Sequence, residues 1–222
     1  MPAGGLPGFA ALLALLILAA RLRGMFGAPA GTMLQLAGLV AILAGGWLAA
    51  RAADAEAWID HTSLAQAGLA LLGIGLAGRA GLFAALVDVG LLALTRAALA
   101  LGFADGDHPN GGQPSGWREY GWNRIVGMLA LAALPPGGLC AGTFLILREL
   151  GATSPVLATV VFALLTLPLW RLPRLLAVIS PAAVPWCHAA PAWILLGVAT
   201  LLGIAMPGAV SAWIADIAVE LG

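Results

Sequence analysis

The chain has 222 residues, of which 62% are hydrophobic and 9% charged, and its ten basic residues balance ten acidic ones. A soluble domain carries about a quarter charged residues, so this composition excludes an ordinary water-soluble fold and predicts a polytopic membrane protein. Electrical neutrality argues against a nucleic-acid partner, which calls for a basic face. All ten basic residues are arginines. The two cysteines, Cys140 and Cys187, have no metal-ligand spacing, so we expect neither a metal nor a cofactor.

Hydropathy predicts a series of apolar helices, several of them near the roughly 20 residues that span a bilayer. In chain order they are 7–21, 33–51, 62–78, 80–103, 155–178 and 191–214. We interpret the first as a retained helix, because Arg21 and Arg23 follow its apolar part and no positive charge precedes it, the reverse of a cleaved signal. The arginines divide almost evenly between the two sides, so they predict no orientation.

The segment 121–150 is interrupted halfway by Leu134-Pro135-Pro136-Gly137-Gly138. Two prolines followed by two glycines end a helix, so the segment is either one kinked span or two short helices. The sequence therefore predicts an all-α bundle of seven or eight transmembrane helices, forming a single transmembrane domain over 1–222. In hydrocarbon such a break is tolerated only where other protein or water covers the freed backbone groups.

One long polar connection, 104–124, holds Gly, Pro, Asp and Asn, and we predict an exposed loop outside the membrane. Its aromatic residues Trp117, Tyr120 and Trp122 are expected at the membrane interface, where such side chains form a belt.

Charged residues inside a transmembrane segment are functional candidates, because placing one there costs several kcal/mol. Asp88 and Arg96 lie in the helix predicted at 80–103, about 12 Å apart along its axis, too far for a direct salt bridge. With Thr95 they form a hydrated polar stripe in one interpretation. In the other, Arg96 reaches the interface or pairs with a neighbouring helix, and Asp88 bonds to a partner chain.

A second polar group lies in 53–68, where acidic residues and a histidine precede a helix expected to start at Thr62 or Ser63. Acidic residues suit the positive end of a helix dipole, and either hydroxyl can cap the helix. These structural roles account for most of the group. In a second interpretation, Glu56, Asp60 and His61 belong to a path for ions or make polar contacts inside the membrane.

The same stretches resemble the antiporter-like membrane subunits of respiratory complex I, energy-converting hydrogenases and multi-subunit cation/proton antiporters. ADAEAWIDHTSLAQAG resembles the family's D-L-K-R-L-L-A-Y-S-S-I-A-Q-M-G, and GLFAALVDVGLLALTRAALALGFA is similar to its A-L-x-H-L-x-x-H-A-x-x-K-A-L-L-F-L-A. GMLALAALPPGGLCAGTFLIL resembles G-A-L-A-L-A-G-L-P-P-x-x-G-F-x-S-K-x-x-L, and LLGIAMPGAV resembles a terminal L-G-L-x-P-G helix. The family core has about fourteen helices, and roughly its first half is missing from this chain.

The departures from these patterns concern the family's proton path, which runs through buried lysines, histidines and a glutamate. By alignment, Glu56 replaces the D-L-K lysine, Asp88 and Leu92 replace the histidine pair, Arg96 replaces the next lysine, and Thr143 replaces the Lys or Glu after the two prolines. A buried lysine can lose its proton near neutral pH, whereas arginine effectively cannot. The resemblance therefore implies a degenerate paralogue that keeps the scaffold without pumping.

The function expected from this comparison is that of a structural subunit in a larger ion-translocating complex of the complex I or hydrogenase type. It would be an accessory subunit rather than an enzyme, surrounded by other hydrophobic membrane subunits and lipids. The resemblance implies that it resides in the bacterial inner membrane. The alternative is half of a split proton or cation antiporter subunit that takes part directly in ion translocation, including a variant for inorganic-carbon uptake.

Overall fold

A computed structural model describes residues 17–21, 23–25, 27–76, 78–104, 119–120, 122–135, 137–178, 180–181, 186–206 and 208–221. Most of the helix expected at 7–21 lies outside the described residues, and its last part, 17–21, is helical. Residues 105–118 and 121 of the expected loop, with Trp117, also lie outside them. Tyr120 belongs to a two-residue strand and Trp122 begins a helix.

Nine α-helices are described, in chain order α1 (Ala28–Arg51), α2 (Ala55–Gly75), α3 (Arg79–Ala104), α4 (Trp122–Leu131), α5 (Leu139–Thr153), α6 (Pro155–Leu165), α7 (Leu172–Val178), α8 (Trp186–Ile204) and α9 (Gly208–Leu221). A 3₁₀-helix, Leu167–Trp170, joins α6 to α7. The two-residue strands β1 (Glu119–Tyr120) and β2 (Ser180–Pro181) pair in parallel, with Glu119 opposite Ser180. The predicted all-α class is confirmed.

Three stretches are long and apolar enough to cross a membrane, Ala28–Arg51, Arg79–Leu101 and Pro155–Ala177. Shorter apolar helices lie at Ala190–Ile204 and Val210–Val219. These features are those of an integral membrane protein. The number of seven or eight spans stays a prediction. Among the described residues, the other helices are too short or too polar to be assigned as spans by length and composition.

Two helices predicted as continuous are divided. The stretch 155–178 forms α6, the 3₁₀-helix and α7, because Pro168 and Pro173 have no backbone N–H to continue the hydrogen-bond ladder. The stretch 191–214 forms α8 and α9, which separate where the sequence reads Met206-Pro207-Gly208. A residue before proline is disfavoured in the helical region, which places the end of α8 just before this motif.

Helix α2 begins at Ala55, seven residues before the predicted start. The Asp54 carboxylate accepts a hydrogen bond from the Ala57 N–H at 2.7 Å, so Asp54 caps the helix in place of Thr62 or Ser63. Both hydroxyl residues lie buried inside α2, and Ser63 donates to the Ile59 carbonyl at 2.7 Å. Hydropathy missed the first two turns of α2 because they contain the polar residues Glu56, Asp60 and His61. The start of the helix is instead fixed by the hydrogen bond of its cap.

Helices α1 and α2 pack backbone against backbone through glycines. A Cβ added at Gly38 would lie 2.5 Å from the Gly68 carbonyl oxygen, and one at Gly68 would lie 2.7 Å from the Gly38 carbonyl oxygen. Such close approach is how helices associate in membranes, where apolar burial gives no driving force. At the end of this pair the Gln35 amide donates to the Gly75 carbonyl at 2.9 Å. Most of α2 is buried, so this helix forms the centre of the described structure.

Candidate functional site

The predicted break between α4 and α5 is confirmed as a separation into two short helices, with residues 132–138 between them. Helix α4 ends in a Schellman-type turn, in which the Leu134 N–H donates to the Leu129 carbonyl and the Ala133 N–H to the Ala130 carbonyl. Ala133 has a φ of 55°, a left-handed conformation that favours glycine, the residue found here in the family pattern. Pro135 follows this turn, and Pro136 lies outside the described residues.

The break leaves a helix-terminal carbonyl available to a neighbouring helix. The Gln66 Nε2 group, from the buried centre of α2, donates to the Leu131 carbonyl oxygen at 3.3 Å. Leu131 is the last residue of α4, so its carbonyl has no partner further along its own helix. The other amide atom, Gln66 Oε1, is buried and has no hydrogen-bond partner among the described residues. A polar side chain of α2 thus forms a hydrogen bond to the backbone where the chain is interrupted between α4 and α5.

Asp88 lies against the first turn of α5. Its side chain is 0% exposed, and neither carboxyl oxygen has a hydrogen-bond partner within the described part of the chain. An added Cβ at Gly142 would lie 2.6 Å from Asp88 Oδ1 and 2.8 Å from Asp88 Cα. Glycine at position 142 therefore makes the room that this carboxyl occupies. The positive end of the α5 dipole faces this side of α3.

Two further hydroxyl groups in the interior have no partner among the described residues, Thr62 Oγ1 on α2 and Thr143 Oγ1 on α5. Thr143 directly follows the glycine that contacts Asp88. Buried polar groups in folded proteins are normally hydrogen-bonded to protein or to ordered water. The carboxyl, the amide oxygen and the two hydroxyls together form what we call the interior polar group, defined as Thr62, Gln66, Asp88 and Thr143. These oxygen atoms are suited to binding water, a proton or a cation.

Arg96 is held at a different place, near the beginning of α2. Its Nη2 atom lies 2.8 Å from Asp60 Oδ1 in a salt bridge between α3 and α2. The Arg96 side chain is 13% exposed and that of Asp60 is 55% exposed. Of the two interpretations of Arg96, the structure has the one in which it pairs with a neighbouring helix.

The remaining candidate residues of 53–68 lie close to this salt bridge along the chain. Glu56 is exposed in the first turn of α2, one turn before Asp60. His61 is half-buried, and its backbone carbonyl faces Gly45 of α1. These residues lie at the beginning of α2, whereas Gln66 lies in the middle of that helix. The structure therefore divides the candidate residues into two sets.

The segment between Asp88 and Arg96 is largely apolar on its buried side. Leu92, one turn from each, is 0% exposed and belongs to the main apolar core. The Thr95 hydroxyl donates to the Leu91 carbonyl of its own helix at 2.8 Å. The described side chains thus give no continuous polar contact from Asp88 to Arg96. Groups of three or more His, Cys, Asp or Glu side chains placed to hold a metal are likewise not found in the described residues.

Three residues of the site were not selected from the sequence as site residues, Thr62, Gln66 and Gly142. Thr62 was expected only as a helix cap. Gln66 was noted only as a match to the family pattern, although a lone amide within the apolar run of α2 requires a partner and so gave a usable signal. Gly142 gave none, because the chain contains 30 glycines and only the packing of α5 on α3 distinguishes this one.

Comparison with known proteins gives one relevant likeness. No family model matches the chain. A protein of Methylacidiphilum infernorum (isolate V4), described as a Hydrogenase-4 component F homolog, is 28% identical over 137 residues. The alignment covers 58% of this chain and 29% of the relative, so the chain spans less than a third of that protein's length. This likeness supports the resemblance to antiporter-like subunits of energy-converting hydrogenases.

Proposed function

We propose that this chain is a membrane-embedded subunit of a larger ion-translocating complex of the hydrogenase or complex I type. It derives from an antiporter-like subunit, keeps the helical scaffold and does not itself pump protons. The distant hydrogenase component supports the type of complex. The absence of pumping is our inference from the side chains at the positions of the family's relay.

The observation that carries this proposal is the salt bridge between Arg96 and Asp60, 2.8 Å long. The resemblance places an exchangeable lysine at position 96. A guanidinium stays protonated in proteins, so it cannot pass its proton to a neighbour. A carboxylate partner also holds it at the beginning of α2, about 12 Å along α3 from Asp88. This arrangement suits a contact that fixes two helices together.

Leu92 supports the same conclusion. It replaces the second histidine of the family pattern and is fully buried in the apolar core between Asp88 and Arg96. A leucine side chain neither binds nor releases a proton. The sequence contains no lysine, so a lysine of this chain cannot provide an alternative relay.

The role that remains is accessory and structural. Large apolar side chains are exposed on several helices, among them Val40 of α1, Phe144 of α5 and Ile194 of α8. In the bilayer these surfaces contact other hydrophobic subunits and lipids. We place the complex in the bacterial cytoplasmic membrane, and we assign catalysis to other subunits.

The proposal is tested by purifying the intact assembly through a tag on this chain. We expect copurification with large hydrophobic subunits and with a hydrogen- or quinone-oxidising module. Proton translocation by vesicles containing the assembly should be unchanged by Asp88→Asn. The control is Asp216→Asn, which alters an exposed carboxyl on α9. A chain that purifies alone as a stable, monodisperse protein contradicts the proposal.

A second function is favoured by one specific observation, the burial of Asp88 without a partner among the described residues. Burying an unpaired polar group costs free energy, and ionisable groups inside membranes typically mark ion pathways. In this function the chain is half of a split antiporter subunit, completed by a separately encoded partner, and it acts in proton, cation or inorganic-carbon uptake. Loss of ion flux in Asp88→Asn, with normal assembly and normal flux in Asp216→Asn, would establish this second function in place of the first.

A further inference from the structure

An open cleft of about 540 Å³ lies between the end of α1 and the 3₁₀-helix. It is lined by Trp47, Ala50, Thr166, Leu167, Leu169 and Trp170. We call it the tryptophan cleft. It is separate from the interior polar group, since none of that group's residues lines it.

Hydrogen bonds hold both walls of the tryptophan cleft in place. The indole N–H of the fully buried Trp58 donates to the Pro168 carbonyl at 3.0 Å, which joins α2 to the 3₁₀-helix. The Arg171 Nε group donates to the Ala52 carbonyl at 2.9 Å, which joins the residue after the 3₁₀-helix to the end of α1. On α1, Gly46 lets the chain approach Leu164, whose carbonyl oxygen would lie 3.1 Å from an added Cβ. The cleft is therefore built into the fold.

The two tryptophans of the cleft are unusually accessible, Trp47 at 50% and Trp170 at 75% exposure. Tryptophan is enriched at membrane interfaces, where its ring contacts the hydrocarbon boundary and its N–H stays near the headgroups. Arg51 is the last residue of α1, a helix long enough to span the membrane. The α1 side of the cleft consequently lies at the end of a helix long enough to span the membrane, where lipid headgroups are expected.

Arginines lie at this end of α1, next to the apolar residues that line the cleft. The Arg51 guanidinium stacks over the Trp47 ring at 4.3 Å from its centroid, and Arg171 directly follows the 3₁₀-helix that forms the opposite wall. Arg174 is exposed one turn further along. The salt bridge found in the described residues is that of Arg96 with Asp60, so these three arginines have no carboxylate partner there. Nearby, the Asp54 carboxylate is engaged in capping α2.

We propose that the tryptophan cleft binds a phospholipid with a net negative headgroup. The lipid phosphate contacts the guanidinium groups of Arg51 and Arg171, and an acyl chain lies along Trp47, Leu167 and Trp170. Arginine suits this role, because its planar guanidinium can donate two hydrogen bonds to one phosphate. A zwitterionic lipid is disfavoured, because its own ammonium group would face the arginines.

The test uses the full chain, in its native assembly, exchanged into detergent micelles with a controlled amount of phosphatidylglycerol. We expect native mass spectrometry to show retained phosphatidylglycerol and little phosphatidylcholine at equal concentration. Arg51→Gln should weaken retention about fivefold, the effect expected from removing one basic residue at an anionic membrane surface. Trp170→Ala should also reduce retention. Because Trp170 is largely exposed, this change removes acyl-chain contact while leaving the buried packing unchanged.

The matched control is Arg148→Gln, which removes an exposed arginine on α5. This part of α5 packs near the C-terminal end of α2, whereas the tryptophan cleft lies near its N-terminal end. It should leave lipid retention unchanged. Equal retention of phosphatidylcholine, or a loss in Arg148→Gln as large as in Arg51→Gln, would overturn the proposal. Competition by glycerol 3-phosphate as strong as that by the lipid would instead identify a free-phosphate site. A crosslink from position 51 to an acidic segment of another subunit, with no lipid retained, would identify a protein contact.

Discussion

Asp60 and Asp88 carry the same chemical group on adjacent helices, and their surroundings differ completely. Asp60, on α2, is 55% exposed and pairs with Arg96 at 2.8 Å. Asp88, on α3, is 0% exposed, and its two oxygens have no partner among the described residues. The first carboxylate joins two helices at the edge of the structure. The second lies in the interior against the first turn of α5.

The difference shows that position inside a membrane helix does not by itself define a role. Solvent and an arginine account for the charge of Asp60, so a structural explanation is complete there. Nothing comparable is described around Asp88, so burial of that carboxyl has a cost that packing alone does not offset. Asp88 is therefore the residue on which the two proposed functions diverge, and the following changes test this contrast.

The largest effect is expected for Gly142→Ala. The new Cβ would approach the Asp88 backbone and carboxyl, so α3 and α5 must separate, and overpacking of this kind costs about 1–3 kcal/mol. The measurement is the free energy of unfolding in mixed micelles. Gly90→Ala, on the exposed side of α3 where an added Cβ has no neighbour within 4 Å, is the control. It should gain about 0.5–1 kcal/mol. Equal effects of the two changes would show that the carboxyl has more room than the structure gives it.

A change in the opposite direction is expected for Asp88→Leu. Leucine has the same branching as aspartate but carries no polar atoms, so it removes the unpaired group without opening a cavity. Stability should rise by about 1–3 kcal/mol, the cost of an unsatisfied buried polar group. Asp60→Leu, the comparison, should lower stability, because it leaves Arg96 without its carboxylate. A loss of stability in Asp88→Leu would mean that Asp88 has a favourable partner in the folded protein.

The smallest effect is expected at the salt bridge. A double-mutant cycle of Asp60→Asn and Arg96→Gln should give a coupling energy of about 0.2–1 kcal/mol, the range for exposed pairs, because more than half of the Asp60 side chain is exposed. The coupling should decrease as salt is added, since ions screen exposed charges. Measured coupling well above this range, and independent of salt, would place the pair in a dry environment.

Much of the local structure was predictable from sequence. The all-α class, the membrane-spanning character and the break at Pro135-Pro136 follow from hydropathy and from the missing backbone N–H of proline. The predicted start of α2 was wrong, because the Asp54 cap and two polar turns extend the helix beyond its apolar part. The stretch 191–214 is divided into two helices. The stretch 155–178 is long enough as a whole to cross the membrane, but a 3₁₀-helix interrupts it, and prolines inside both stretches gave the relevant signal.

The contacts of the candidate site were less predictable from the sequence. Asp88, Arg96, Asp60 and Thr143 were identified as candidates, but the partner of Arg96 lies 36 positions away and that of Gln66 lies 65 positions away. These helices are apolar over most of their circumference, so the sequence gives no periodicity that would show which side faces which neighbour.

Composition and local hydrogen-bonding chemistry therefore determined that the chain forms membrane helices and where several of them end. Tertiary structure alone decided that one aspartate pairs with arginine while the other is buried against Gly142. The physical reason is that helix ends depend on residues close in sequence, whereas the environment of a side chain depends on how distant helices rotate and pack.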